Sequence, residues 1–120
     1  MATKTTIFEQ KQSGGTAWFL IVNPDTPGTA GDNIIDIDTD LSDASGGSQT
    51  VSITKLHWSG AVTITSGDIS IPLTGNGAWC QFNGWTPVEC SNDITLTGGG
   101  TIFIEIKKLA GFTGRSDYSA

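Results

Sequence analysis

The sequence predicts an all-β protein, an antiparallel, jelly-roll-like β-sandwich of eight to nine short strands. Three observations lead there. Apolar residues recur with a period of two through most of the chain, the spacing of a strand with one covered face. Stretches rich in Gly, Asn, Asp and Pro punctuate the chain at roughly ten-residue spacing, as they do in sandwiches and barrels. No window shows the apolar spacing of an amphipathic helix.

The elements follow in order. "TTIFEQ" opens as a short strand, and Ser13-Gly14-Gly15 turns the chain into "TAWFLIVN". That second run is almost wholly apolar, so a buried strand is expected. "PDTPGTAGDN" is a loop by its prolines and glycines. "IIDIDTDL" alternates, with Ile35, Ile37 and Leu41 on one side and Asp36, Asp38 and Asp40 on the other. "SDASGGSQ" is a second loop. "TVSITKLHW" is a strand whose parity changes between Ile53 and Leu56, which asks either for a bulge near Lys55 or for cover on both faces there. A Ser59-Gly60 turn is expected before "AVTIT". "DISIPL" places Ile69, Ile71 and Leu73 on one face, and Pro72 marks it as an edge strand. "TGNG" is a turn, "AWCQF" a short strand and "NGWTPVECSN" a loop. "DITLT", a "GGG" turn and "TIFIEIKKL" close the fold, with Ile102, Ile104 and Ile106 inward.

The chain has 120 residues, 37% of them hydrophobic, so a single domain over 1–120 is expected. A chain of this size buries roughly two thirds of its unfolded surface, which supports a core without staples. The ends, 1–6 and 111–120, lack a strong pattern and are expected to be flexible until a neighbour orders them.

Charge narrows the partners. Twelve acids against six bases leave a formal net charge of −6. Nucleic acid is excluded as the expected ligand, because phosphate binding needs a basic footprint. An anionic membrane is excluded for the same reason. The start, "MATKTTIFEQKQSGG", lacks the apolar core of a signal peptide, and the longest apolar run is "AWFLIV", far short of a membrane span. Synthesis in a cytoplasm is expected. There Cys80 and Cys90 read as reduced thiols packed as small hydrophobes, with a disulfide between them the alternative if the protein later meets oxidising surroundings.

The candidate chemistry is thin. His57, the one histidine, has Lys55 and Ser59 at its own parity and reads as a solvent-face residue, with Trp58 the core residue beside it. "DIDTDLSD" begins like a helix-loop-helix calcium loop, but Leu41 and Gly47 stand where that loop needs Gly and Glu. Its three carboxylates instead read as one exposed strand face, suited to discouraging edge pairing, to meeting a basic partner or to holding calcium in a non-standard site. Glu9, Glu89 and Glu105, the three glutamates, form no recognisable pair for glycoside cleavage. No catalytic residue, cofactor or metal is therefore assigned. Trp58, Trp79, Phe82 and Trp85 gather in the second half. Trp58 and Trp79 suit core packing. Trp85, in a loop before Pro87, is the best contact residue. The expected interface set is Trp85, Pro87, Trp79, Asp36, Asp38 and Asp40.

"ITKLHWS", "VTI", "IPLTGNG", "NDITLT" and the closing "TIFIEIKK" together resemble small β-rich structural proteins of tailed bacteriophages, especially phages of marine bacteria. The resemblance spans about residues 48–108 and rests on turn and core positions. It implies a virion protein made in the host cytoplasm, with the major capsid protein or another virion protein as partner. Capsid decoration, cementing neighbouring shell subunits, is the leading expectation. A tail or fibre component, which implies a defined homo-oligomer, is the second. A carbohydrate-binding sandwich with Trp85 and Trp79 as stacking platforms is the third.

Overall fold

A computed structural model describes residues 3–10, 14–23, 34–41, 44, 48–80 and 87–112. Eight strands lie among these described residues: β1 (Thr3–Glu9), β2 (Thr16–Asn23), β3 (Ile34–Ile35), β4 (Thr50–Ser66), β5 (Ile69–Leu73), β6 (Asn76–Cys80), β7 (Val88–Cys90) and β8 (Ile94–Ala110). Every pairing is antiparallel. The fold is all-β, as the period of two predicts, and no described helix is long and apolar enough to cross a membrane.

Two 17-residue strands, β4 and β8, run side by side through the whole molecule. Their far ends carry different neighbours. At one end the order is β1-β2-β8-β4, with β6 and β7 on the outer side of β4. At the other end β3 flanks β8 and β5 flanks β4. We call these the wide and the narrow layer. Their inward side chains merge into one core: Phe19, Leu56, Ile104 and Ile106 from the wide layer, Val62, Ile64, Leu73 and Leu96 from the narrow one. Both layers are thus served by the same two strands, the rolled arrangement of a jelly-roll-like sandwich.

Glycine makes the bend. The expected turns at Ser59-Gly60 and at Gly98–Gly100 are not turns, because both stretches lie inside continuous strands. Gly60 faces Gly100, and Val62 faces Gly98. Gly60 has φ 106° and Gly98 has φ 89°, values that L side chains rarely adopt. A Cβ on Gly60 would lie 2.6 Å from the carbonyl oxygen of Gly99. Glycine here lets two paired backbones bend together without parting.

Other elements depart from expectation for definable reasons. β2 is buried on one face only: Ala17, Phe19 and Ile21 are enclosed, while Val22 is 43% exposed. The outer face of the wide layer carries the exposed residues Phe8 and Val22. "VEC", expected within a loop, is β7, pairing Val51 with Cys90 and Ile53 with Val88. Residues 3–6, expected to be a flexible end, belong to β1 and pair with 19–22. At the other end Phe112 is only 7% exposed and bridges to Ala44, so residues 111–112 are packed against the domain. The bulge expected near Lys55 is present, between Ile53 and Lys55. β5, with Pro72 opposite Thr63, is an edge strand as expected.

Candidate functional site

The outer face of the wide layer is built by strand parity. Residues of β8 that alternate with the inward Ile102, Ile104 and Ile106 point outward, and their register partners do the same. One row crosses the layer as Thr5, Leu20, Phe103, His57 and Ala78. The next runs Phe8, Trp18, Glu105 and Lys55. Three rings meet there. Trp18 and Phe103 lie edge to face with centroids 5.1 Å apart, and His57 approaches Phe103 at 6.2 Å. Lys55 Nζ stands 5.4 Å from the Trp18 ring centre, within cation–π range. Glu105 accepts a 2.6 Å hydrogen bond from the Thr54 hydroxyl, which holds its carboxylate on this face. A shallow hollow of about 200 Å³ opens beside His57, Trp58, Thr101 and Phe103.

The apolar content of this face is concentrated at its β1–β2 margin. Among the described residues the most exposed large hydrophobics are Phe8 at 54%, Ile7 at 50%, Val22 at 43% and Leu109 at 39%. Three of the four lie on β1 and β2. Phe8 and Val22 are outward by register, while Ile7 sits at a register shift in β1. His57 is exposed, in agreement with its reading as a solvent-face residue.

The aspartate run takes a different form from the one expected. Only Ile34–Ile35 is strand. Asp36 then starts a turn, its carbonyl accepting from the amides of Thr39 at 3.2 Å and Asp40 at 2.8 Å. The Asp40 carboxylate accepts from the Asp36 amide at 2.7 Å and from Lys4 Nζ at 2.6 Å. Aspartate side chains compete for backbone donors in this way, which favours a turn over a ladder. Ile37 and Leu41 are both buried, but as residues four apart around a turn. Asp36, Asp38 and Asp40 therefore do not line a strand face.

Asp93, which the sequence reading passed over, joins them. Its Oδ1 accepts from the Ile37 amide at 3.1 Å. One carboxylate oxygen each from Asp36, Asp38 and Asp93 lies within 4.8 Å of the others. A hydrogen bond between Asp38 and Asp36 lowers the Asp36 carboxyl below the ordinary range and raises that of Asp38. The group borders a polar hollow of about 290 Å³ that also includes Gln49 and Asn92. The signal in the sequence was Asp93 immediately before a strand, where a short acid commonly braces a neighbouring turn.

The described members of the expected interface set, Trp79, Pro87 and the turn of Asp36, Asp38 and Asp40, lie on separate elements. Trp79 lies on β6, half-buried against the core, with its ring edge to face with Trp58 at 5.4 Å. It is no free platform. Pro87 is exposed just before β7. Trp85 lies outside the described residues, as does Phe82. Trp58 is half-buried as well, and its indole N–H donates to the Thr74 carbonyl at 3.1 Å. The Cys90 thiol is free and buried, and burial raises its pKa, in keeping with a protonated packing residue.

No protein-family model and no curated protein matches the chain. Among solved structures, it is similar to a cupin superfamily protein from Desulfitobacterium hafniense DCB-2. That match has a TM-score of 0.46 and 13% identity over 92% of this chain and 79% of the other.

Proposed function

We propose that the chain is a structural binding domain of a bacteriophage virion, a decoration protein that docks on the outside of the head and braces neighbouring shell subunits. The observation that carries this reading is the open outer face of the wide layer, where Phe8 and Val22 stand exposed beside the Trp18–Phe103 pair. Aromatic and apolar groups gathered on a rigid sheet are the usual anchors of protein interfaces. The resemblance of residues 48–108 to phage structural proteins supplies the shell as partner. A decoration protein binds a lattice in many copies, so each contact can be modest in area and affinity.

The test is binding of the purified chain to intact and to decoration-stripped phage heads, followed by imaging. Regular occupancy of the shell is expected for the wild-type chain, and loss of it for Phe8→Ser/Val22→Ser with unchanged unfolding. Binding at the tail alone would move the protein to a tail role. Binding to glycans in place of particles would make it a carbohydrate module. Trp79 has lost its part in that third reading, because its ring is engaged by Trp58.

A further inference from the structure

We propose that the first half of β1, Thr3–Thr6, is a strap that opens from β2 about the register shift at Ile7, and that the Lys4–Asp40 ion pair is its catch. Among the described residues β1 is the outermost strand of the wide layer and pairs only with β2. None of its residues is buried and none belongs to the core cluster. Apolar burial, which holds the other long strands, therefore does not oppose its departure.

Besides its backbone ladder, β1 carries an ion pair at each end, and the two differ. At the Glu9 end the carboxylate meets Lys108 Nζ at 2.8 Å, with side-chain exposures of 10% and 0%. Lys108 Nζ also donates to the Gln10 carbonyl at 2.9 Å. Opening that end would pull the Glu9 carboxylate away from a fully enclosed ammonium, so this end stays shut. At the Lys4 end the partners are 16% and 26% exposed, and water can take over both charges when they part. Between the ends the register shifts from Thr6 to Phe8, which breaks the ladder into two segments. The chain thus carries a closed anchor, a break and an easily parted catch, in that order toward its N-terminus.

Opening has two consequences. It frees the edge of β2 over Phe19–Val22, the residues that Thr3–Thr6 cover. It also releases Lys4 Nζ from the Ile34 carbonyl, at 2.7 Å, and from Asp40, whose carboxylate braces the Asp36 amide. The strap and the acidic turn are therefore mechanically linked through one lysine.

Residue-resolved hydrogen exchange on the full chain tests this, with wild type, Lys4→Met and Lys4→Arg compared. Lys4→Met should speed exchange of the amides paired between 3–6 and 19–22 up to about fivefold, the scale set by losing a partly exposed ion pair. Amides at the Glu9–Ala17 end and in β8 should keep wild-type rates, and Lys4→Arg should behave like wild type. Unchanged exchange over 3–6 in Lys4→Met would overturn the catch. An equal rise at the Glu9 end would overturn the strap, since β1 would then leave as one unit. A rise throughout β4 and β8 would overturn both, because opening would be global unfolding.

Discussion

β2 sends Ala17, Phe19 and Ile21 into the core. β1, paired with it along its length, sends Lys4 and Glu9 inward and leaves Ile7 and Phe8 in water. The strands are of similar length and share one ladder. One is held by apolar burial, at about 1.5–3 kcal/mol for each large side chain. The other is held by two charges that reach past it. The difference teaches that membership of a sheet and membership of a core are separate properties. A strand of the second kind keeps its apolar residues free for a partner and can part from the sheet locally.

The comparison can be broken or sharpened by substitution. Phe19→Ala should have the largest effect, a loss of about 3–5 kcal/mol, because it empties a fully enclosed site. Denaturant unfolding measures it, and a loss below 1 kcal/mol would contradict the assignment of β2 to the core. Glu9→Gln should follow at about 3 kcal/mol, since it removes the carboxylate charge that faces the enclosed Lys108 ammonium. Lys108→Met should cost less than Glu9→Gln in the same assay, because it removes the buried charge itself; the reverse order would show the ion pair to be a net source of stability. Lys4→Met should cost about 1 kcal/mol or less, given the partial exposure of the pair. Phe8→Ser should be smallest, within about 0.5 kcal/mol, while abolishing particle binding. A large stability loss there would mean that Phe8 packs on the domain and is not an anchor for a partner.

The legibility of this molecule follows the range of the forces involved. Ile102, Ile104 and Ile106 were readable because alternation is a local property of a strand. The same parity reaches Lys108, which is why that lysine is enclosed; charge obscured the pattern, and its partner Glu9 is almost the whole chain away. The bulge near Lys55 was legible as a parity change. The glycines at 60 and 98–100 were legible as special positions but not as bends within strands. A turn and a kink ask the same backbone freedom of glycine, and only the facing strand distinguishes them. The aspartate run misled because residues 35, 37 and 41 satisfy a strand parity, while 37 and 41 also satisfy one turn of a coil. Hydrogen bonds to Asp40 and Asp93 chose the turn.

By itself, then, the sequence determined the β class, the antiparallel order of short apolar segments, the edge character at Pro72 and the outward position of His57. All of these are set by neighbours a few residues away. The tertiary structure decided that β4 and β8 are continuous and shared by two layers. It also decided that Trp18 and Phe103 meet on an open face while Trp58 and Trp79 do not, and that β1 is tied by charge. Those outcomes depend on which strand lies alongside which, and such pairings join residues far apart in the chain, beyond the reach of any local pattern.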